Sequence, residues 1–495
     1  MKGLHWLVLL CCAAFAVRAL ALIDATGLWS DELYTVGKSF QPSFTALLAM
    51  LRQDTHPPFY YTLVWLWGHW LPPTAVSLRL LSWLFYMAGG VVITLQAGAL
   101  AQERPTRAMG LAALLAFCSP YPVRFAIEGK GYALLVLLVA VAWWLRRRQQ
   151  RWAYGGVVAL AALTHYYGLF LFAAALVWDA WSGRRGLALS AAIGLLPAAL
   201  WMVLASAYLL RSGTGAWIGP PDFALFEDTL ARALGLWPLP KLALLLFSGW
   251  ALVHWCVRPS STSVSGLSAT AIPWSVADRS GLLPSLAMVI GVVLISYWKP
   301  MAFSRYFVVL LPALVSWLAV RGAALSLTRF GQGMAASVLA LLVLSWWWHA
   351  FAELDPGGSA LGSREGDQFQ LISRSLAGEP YRFSRRERLF NLSDRTEVAA
   401  GRMASPAAAW GDSGTLDRIL NQAEFPPVIW LADSGDADGV KPRLKPMLRN
   451  VQAAGYRCSQ YLPEEPYAQV WRCRAGSSGS IKANPKMSPD RAAFQ

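Results

Sequence analysis

Two neighbouring stretches decide the fold, LHWLVLLCCAAFAVRALALI at residues 4–23 and LWSDELYTVGKSF at residues 28–40. The first is an apolar run of 20 residues, which is about the length that an α-helix needs to cross a bilayer. The second adds a tryptophan, two adjacent carboxylates and a tyrosine. One polar group is enough to flank a helix end, so Asp31 and Glu32 together raise the question of whether they serve solvation or chemistry.

The composition repeats this apolar pattern along the whole chain. Of 495 residues, 56% are hydrophobic and only 14% are charged, whereas soluble domains carry roughly 25% charged residues. The lysines and arginines that produce the net charge of +15 lie in short clusters between apolar blocks. Because cytoplasmic loops of membrane proteins collect Lys and Arg, this distribution predicts a polytopic membrane protein and argues against a nucleic acid as partner.

The charge clusters also predict the topology. We place the first span at about residues 4–23 with Lys2 on the cytoplasmic side, and we interpret residues 57–71 as an interfacial helix. If residues 57–71 crossed, the RRRQQR cluster at 146–151 would reach the cytoplasm only with a forced parity. This register gives about eleven spans, a cytoplasmic N-terminus and an external C-terminus. The later spans are expected at about 78–100, 108–124, 131–145, two between 151 and 184, 187–209, 241–257, 282–298, 306–320 and 332–351.

The C-terminal region has a different composition. After a transmembrane catalytic domain at residues 1–352, mixed charges predict an external (periplasmic) soluble domain at 353–475 and a disordered tail at 476–495. The run PPVIWLAD is typical of a buried strand, and YRCSQYLPEEPYAQVWRC of two strands around a turn. A disulfide between Cys458 and Cys473 would require an oxidising compartment. We therefore expect an all-α polytopic protein of the plasma (inner) membrane with a smaller soluble α/β domain.

In this topology most polar side chains near the membrane boundary fall on the external side. Any one of them is explicable as a solvated group at a helix end. Several acids, two histidines and several cations on one face suit a reaction on an anionic, lipid-borne substrate at that interface. The set is Asp31, Glu32, Tyr34, Lys38, Asp54, His56, Arg124, Glu128, Lys130, Tyr132, His165, Tyr166, Lys299, Arg305 and Tyr306.

Six motifs carry a resemblance to a known family. The chain resembles the integral-membrane glycosyltransferases of the C superfamily (GT-C), which use polyprenyl-phosphate sugars, and is similar to the branch of protein O-mannosyltransferases and the lipid A aminoarabinose transferase. The resemblance covers about residues 1–320. The motifs, in chain order, are WSDELY at 29–34, DTHPPFYY at 54–61, SLRLLS at 77–82, FAIEGKGYAL at 125–134, THYYG at 164–168 and KPMAFSRY at 299–306.

The resemblance implies roles for three acids and a lysine. Asp31 matches the essential acid of the first external loop, with Glu32 as its paired acid, and Glu128 matches the second acid. Lys130 stands where Arg is common in the family, and lysine keeps the charge but loses the bidentate fork that suits phosphate. The implied fold is a GT-C bundle in which the HPPFYY segment forms an interfacial helix.

The implied reaction moves a sugar from a polyprenyl-phosphate donor to a hydroxyl of a lipid, glycan or protein acceptor, in an inverting-type transfer. Asp31 is the candidate general base, and Lys299 and Arg305 are the first candidates for the lipid phosphate. Arg18, Arg79 and Arg124 are weaker phosphate candidates. The expected substrate-binding set is Tyr34, Arg124, Lys130, Tyr132, His165, Tyr166, Lys299, Arg305 and Tyr306.

Several alternatives stay open at this point. Asp31 or Glu32 could cap a helix, and His56 could position phosphate, ligate a metal or hold its loop. Some relatives in the superfamily are metal-dependent, so a divalent cation held by Asp31, Glu128 and one histidine is a further expectation. A transporter or flippase of lipid-linked sugars is the alternative function, although it would place polar groups near the bilayer midplane. A receptor or scaffold would explain the soluble domain but not the acids.

Overall fold

The computed structural model describes residues 2–211, 218–225, 228–229, 271–351, 361–422, 425–434, 444–461 and 468–476. The chain divides into two compact units. The first comprises residues 1–25 and 35–358, and the second comprises residues 26–34 and 359–495. Residues 26–34, which we call the acidic segment, therefore group with the C-terminal part of the chain.

The described secondary structure of the first unit consists of helices joined by loops, and helix α2 (Ser30–Ser39) begins in the acidic segment. A 3-10 helix at Ser304–Leu310 precedes α15. The helices are α1 (Lys2–Ala21), α2 (Ser30–Ser39), α3 (Phe44–Leu51), α4 (Phe59–Trp67), α5 (Ala75–Leu100), α6 (Pro105–Cys118), α7 (Pro120–Ala126), α8 (Tyr132–Arg147), α9 (Arg151–Thr164), α10 (Tyr166–Trp181), α11 (Arg185–Leu204), α12 (Ser206–Leu209), α13 (Ala271–Ser280), α14 (Leu282–Ser296), α15 (Leu311–Ala324) and α16 (Arg329–His349).

Four stretches of the described residues are long and apolar enough to cross a membrane. They are α5, α11, the combined segment Ser304–Ala324 and α16. Four shorter apolar helices lie in α1, α6, α10 and α14. All eight fall on predicted spans, so a mostly helical, multi-pass membrane protein is confirmed. The predicted span at 241–257 lies outside the described residues, and the total of eleven stays a prediction.

One predicted segment differs from the sequence interpretation, and a second agrees with it. The span expected at 108–124 is divided, because α6 ends at Cys118 and α7 begins at Pro120. Proline disfavours the helical conformation of the residue before it, and Ser119 is accordingly extended, with a ψ of 146°. Helix α4 has nine residues, which cover only about 13 Å of the roughly 30 Å that a span requires. The expectation that the HPPFYY segment does not cross agrees with this length.

Two apolar clusters hold the first unit together. Helices α5, α6, α8 and α15 pack around buried residues that include Tyr86, Phe125 and Val308. Helix α1 packs with α6 and α16 around Phe15 and Trp346. This packing places the start of α8 and the 3-10 helix next to one another, so Phe125, Tyr132 and Tyr306 meet in one cluster.

The second unit has the predicted α/β character. Its helices are α17 (Leu361–Ser375), α18 (Glu387–Ala399), α19 (Ser413–Leu420) and α20 (Lys445–Ala453), and its strands are β1 (Arg382–Phe383), β2 (Val428–Ser434), β3 (Tyr456–Gln460) and β4 (Ala468–Ala475). The sheet order is β1-β2-β4-β3. Strands β1 and β2 are parallel, whereas β4 is antiparallel to both β2 and β3.

The sheet confirms two sequence predictions. The PPVIWLAD run forms β2, and the two strands expected around the LPEEP turn are β3 and β4. Cys458 and Cys473 form a disulfide directly across that pair, a pairing that the sequence left open. Apolar side chains such as Ile429, Leu431 and Val451 fill the core between the sheet and its helices. Residues 462–467, which contain the turn, and the predicted disordered tail from residue 477 onward lie outside the described residues.

Candidate active site

The two acids of the WSDELY motif lie in the first turn of α2. The exposed N–H groups of a helix start carry a partial positive charge, so carboxylates there are stabilised. Glu32 is 1% exposed, whereas Asp31 is half-buried and Tyr34 is exposed at 36%. A purely helix-stabilising role could explain either acid alone. The two acids differ in their surroundings, since Asp31 keeps access to solvent and Glu32 does not.

Residues of α17 hold the acidic segment within the second unit. The backbone N–H of Gly27 donates to Asp367 Oδ1 at 2.8 Å, and that of Ser30 donates to Glu365 Oε2 at 3.0 Å. Arg386 Nη2 in turn donates to Glu365 Oε1 at 2.6 Å. These bonds fix the backbone at Gly27 and Ser30, on either side of Trp29. They therefore fix the position of the first turn of α2.

A separate polar cluster lies in the first unit, where α2 ends. Asp54 accepts hydrogen bonds from Lys38 Nζ at 2.7 Å, from His56 Nδ1 at 2.7 Å and from the His56 backbone N–H at 3.0 Å. Burial would raise the pKa of Asp54, but the hydrogen bonds from His56 and Lys38 and the charge of Lys38 hold it well below its ordinary value. Asp54 is therefore ionised at neutral pH and neutralises Lys38.

Both predicted histidines are held in the neutral form. Burial lowers the pKa of His56 to about 4; the charge of Lys38 lowers it further, and the hydrogen bond and charge of Asp54 act in the opposite direction. Burial also lowers the pKa of His165 to about 3, with smaller contributions from the neighbouring His56 and Lys130. At neutral pH these imidazoles can donate or accept hydrogen bonds, but they add no positive charge to the site.

Aromatic rings surround His165, which caps the start of α10 by accepting the Tyr167 N–H at 3.1 Å. Its ring centroid lies 6.4 Å from that of His56, 5.8 Å from Tyr132 and 4.9 Å from Tyr306. Tyr167 packs on Tyr306 at 5.1 Å. The structure thus brings together four of the predicted residues, His56, Tyr132, His165 and Tyr306.

The EGKGY turn before α8 supplies buried charges to the same region. Glu128 is 6% exposed and lies 3.5 Å from Arg305 Nη1. Lys130 is 5% exposed, and its charge acts on both His56 and His165. Among the described residues no carboxylate pairs with Lys130. A buried ammonium without a carboxylate is costly, so Lys130 is the cation here that would gain most from an anionic ligand.

The remaining predicted residues of the first unit are less closely grouped. Tyr166 interacts electrostatically with Asp54 at the edge of the cluster. Arg124 lies in the last turn of α7 and is half-buried. Lys299 is exposed and donates to the carbonyl oxygen of Leu209 at 3.3 Å. Of the two cations first chosen for phosphate, Arg305 therefore contacts Glu128 in the buried cluster. Lys299 shares no partner with that cluster among the described residues.

Two of the three weaker phosphate candidates, Arg18 and Arg79, have structural partners. The Arg18 guanidinium lies over the rings of Trp347 and Phe351, at 4.7 and 4.6 Å from their centroids. Arg79 donates to the carbonyl oxygen of Ile23 at 2.9 Å. Cation–π contact lowers the cost of a cation within an apolar helix, so Arg18 and Arg79 are explained by the fold alone.

Sequence reasoning assigned no role to several residues that the structure places at these sites. Lys38 and Asp54 were only members of the external polar set, although the spacing in DTH suits an aspartate that binds the backbone two residues on. Glu365 and Arg386, which hold the acidic segment, lie more than 300 residues from it, and no local signal identifies such partners.

No group of three or more His, Cys, Asp and Glu side chains in the described part of the chain is arranged to hold a metal ion. His56 Nδ1, which would be one natural ligand atom, is already hydrogen-bonded to Asp54. The divalent cation expected from the family resemblance therefore stays a prediction to which the geometry assigns no ligand set.

No protein-family model matches the sequence, and no curated protein matches it. Solved structures do. ArnT from Cupriavidus metallidurans in its apo state superposes with a TM-score of 0.59 at 12% identity, covering 95% of this chain and 98% of ArnT. The chain has the fold of ArnT. A second structure of the same protein, bound to undecaprenyl phosphate, gives a TM-score of 0.57 at 14% identity over 94% of this chain and 98% of ArnT.

The alignment with ArnT extends over nearly the full length of both chains. At 12–14% identity the likeness establishes the architecture alone. The roles of individual side chains have to be argued from the residues of this chain.

Proposed function

We propose that this protein is a GT-C glycosyltransferase that moves a sugar from a polyprenyl-phosphate donor to a hydroxyl acceptor on the external face of the plasma membrane. The carrying observation is the buried Lys130, which has no carboxylate partner among the described residues and lies beside two neutral histidines. A phosphate is complementary in charge to Lys130, because it supplies a counter-ion that no described carboxylate provides.

The positive charge available to the donor phosphate comes from two side chains in this proposal. Lys130 would contact the phosphate directly, and Arg305 would share its guanidinium between Glu128 and the phosphate. Charge-assisted hydrogen bonds of this kind are stronger in a site of reduced dielectric. Lys38 contributes less because Asp54 already neutralises it at 2.7 Å. His56, His165 and the tyrosines around them would orient the donor without changing the net charge.

The transfer itself would be a single displacement with inversion. The acceptor hydroxyl gives its proton to the Asp31 carboxylate as its oxygen attacks the anomeric carbon. The bond from that carbon to the phosphate oxygen breaks, and the electron pair leaves with the polyprenyl phosphate. The half-buried position of Asp31 in the first turn of α2 supports this role, with the buried Glu32 as its support. The proposed acceptors are lipid, glycan or protein hydroxyls.

A radiolabelled transfer assay tests the proposal. Membranes that contain the wild-type chain, supplied with a panel of undecaprenyl-phosphate-linked sugars, should move label into an acceptor fraction, and Asp31→Asn should reduce that transfer at least ~100-fold, which is a typical contribution of a general base. Asp24→Asn, an exposed acid just before the acidic segment, is the matched control and should keep wild-type activity.

Two results would count against the proposal. Equal transfer by Asp31→Asn and wild type would remove Asp31 from the base role while leaving the enzyme class intact. Failure of the purified wild-type chain to bind undecaprenyl phosphate, together with no transfer from any donor in the panel, would overturn the glycosyltransferase function itself.

A further inference from the structure

A second charged site lies at the other end of the first unit's helices. A cavity of about 460 Å³ opens where α5, α8 and α13 end and α11 begins, and four arginines line it or its rim, Arg146, Arg147, Arg184 and Arg279. Helix α8 begins at Tyr132 in the candidate active site and has 16 residues, so its last turn lies roughly 20 Å away along the helix. The cavity is therefore not part of the sugar-transfer site.

Two of the arginines are fixed by a buried ion-pair network. Arg146 is 3% exposed and binds the fully buried Asp179 with two hydrogen bonds, at 2.6 and 3.0 Å. It also donates to Asp278 Oδ1 at 3.0 Å. Arg184 donates to Asp179 at 2.8 Å and pairs with Asp278 through both terminal nitrogens. These contacts join α8, α10, α11 and α13 at one point.

The ion-pair network involves both Asp179 and Asp278 but only two of the four arginines, Arg146 and Arg184. Among the described residues no carboxylate pairs with Arg147 or Arg279, and the buried Nε of Arg147 has no hydrogen-bond partner there. The charges of Arg148 and Arg279 act unfavourably on Arg147. Four arginines against two aspartates leave an excess of two positive charges around the cavity. Such crowding of like charges is relieved when an anion binds between them.

The backbone beside the cavity is also unusual. Gln149 lines the cavity and has a φ of 55°, the one positive φ at a non-glycine residue in the described chain. A residue with a side chain rarely adopts this conformation, and where it does the surrounding structure must hold it. Here it turns the chain sharply between α8 and α9, so that Arg147 and Gln149 both border the cavity.

We propose that this cavity binds a phosphate group, carried either by an anionic phospholipid headgroup or by a small soluble phosphate compound. Guanidinium groups match phosphate with paired, planar hydrogen bonds, and basic pockets between membrane helices are suited to lipid headgroups. Asp179 and Asp278 hold Arg146 and Arg184 in place. Arg147 and Arg279 are the groups that bind the added anion. The proposal is independent of the sugar-transfer reaction.

Binding measurements on the full-length protein test this site and separate the two sources. Protein in phosphatidylcholine nanodiscs is titrated with inorganic phosphate by calorimetry, and the retention of phosphatidylglycerol is measured by native mass spectrometry. Saturable binding of inorganic phosphate identifies a soluble ligand, whereas retention of phosphatidylglycerol alone identifies a headgroup. Because a hydrogen bond to a charged group contributes about 1.5–3 kcal/mol, Arg147→Ala or Arg279→Ala should weaken binding roughly 10-fold to 100-fold.

Arg148→Ala is the matched control. Arg148 is exposed, stacks on Trp144 at 4.6 Å and does not line the cavity, so its removal changes the same charge at the neighbouring position. We expect it to leave binding within about twofold of wild type. The proposal fails if wild type binds neither probe, or if Arg148→Ala weakens binding as much as Arg147→Ala and Arg279→Ala do, since nonspecific surface charge would then account for it.

Discussion

Replacing Lys130 by methionine should make the protein more stable and much less active. Methionine has nearly the length of lysine without its charge. Lys130 is 5% exposed and has no carboxylate partner among the described residues, so the folded state bears most of the cost of removing an ammonium from water. Replacement of a buried ion pair by apolar side chains of similar volume can stabilise a protein by about 1–4 kcal/mol, and we expect an increase in this range for Lys130, which lacks even a carboxylate partner among the described residues.

The expected loss of activity follows from the charge that methionine removes. A lysine and a phosphate oxygen about 4 Å apart, at an effective dielectric constant of about 20, attract each other by about 4 kcal/mol. Each 1.4 kcal/mol corresponds to about tenfold in binding, so Lys130→Met should lower kcat/KM for the polyprenyl-phosphate sugar by roughly a hundredfold to a thousandfold. The rates come from the radiolabelled transfer assay, and stability comes from thermal unfolding followed by tryptophan fluorescence in the same nanodiscs.

Lys38→Met is the matched control for this prediction. Lys38 is also buried, at 7% exposure, but it pairs with Asp54 at 2.7 Å. Its removal leaves a carboxylate without its main counter-ion, which typically costs about 3–5 kcal/mol for a buried pair, so Lys38→Met should be destabilised. A Lys130→Met protein that unfolds more easily than wild type, or that transfers sugar at the wild-type rate, would refute the assignment of Lys130 as the phosphate-binding cation.

Three further predictions address the acidic segment, the histidines and the topology. A Cβ at Gly366 would overlap the backbone of the acidic segment, whereas one at Gly378 would meet nothing within 4 Å; Gly366→Ala should therefore reduce transfer and Gly378→Ala should not. The pKa of His56 is about 4 in the folded protein and about 6.5 in the unfolded chain, so the free energy of unfolding should fall as pH drops from 6.5 toward 4. At pH 5.5, 15N NMR should show a neutral His56 ring, and a charged ring would contradict this prediction. A reporter fused after residue 107 should score cytoplasmic and one after residue 130 external; the reverse result would mean that the HPPFYY segment crosses the membrane.

Helix positions were predictable from the sequence because the membrane imposes a simple rule. A chain that spans a bilayer must satisfy its backbone hydrogen bonds internally, so long apolar runs become helices regardless of their partners. The runs at 78–100 and 332–351 accordingly appear as Ala75–Leu100 and Arg329–His349. Pro120 indicated the break at Ser119, but the hydropathy across 108–124 is uniform and predicted one continuous span.

The partners of the polar residues were less predictable, because they depend on contacts between distant parts of the chain. DTH at 54–56 indicates a local bond between its aspartate and histidine, yet nothing nearby in the sequence identifies Lys38 as the third member. The grouping of the acidic segment with residues beyond 359 is likewise set by Asp367 and Glu365, which bind its backbone. Backbone donors leave no trace in the sequence, since every residue except proline has one.

The partners of a buried cation therefore separate its structural and functional roles better than its burial does. Arg146 and Lys38 are buried and bound to aspartates, and Arg18 lies on aromatic rings, so the fold itself stabilises each of them. Lys130 is 5% exposed and has no described carboxylate partner, and an uncompensated buried charge destabilises a protein by several kcal/mol. Arg147 is half-buried, but its Nε is buried without a hydrogen-bond partner among the described residues. Both side chains are best explained by ligands that neutralise them, the proposed donor phosphate at one end of α8 and the proposed second phosphate group at the other.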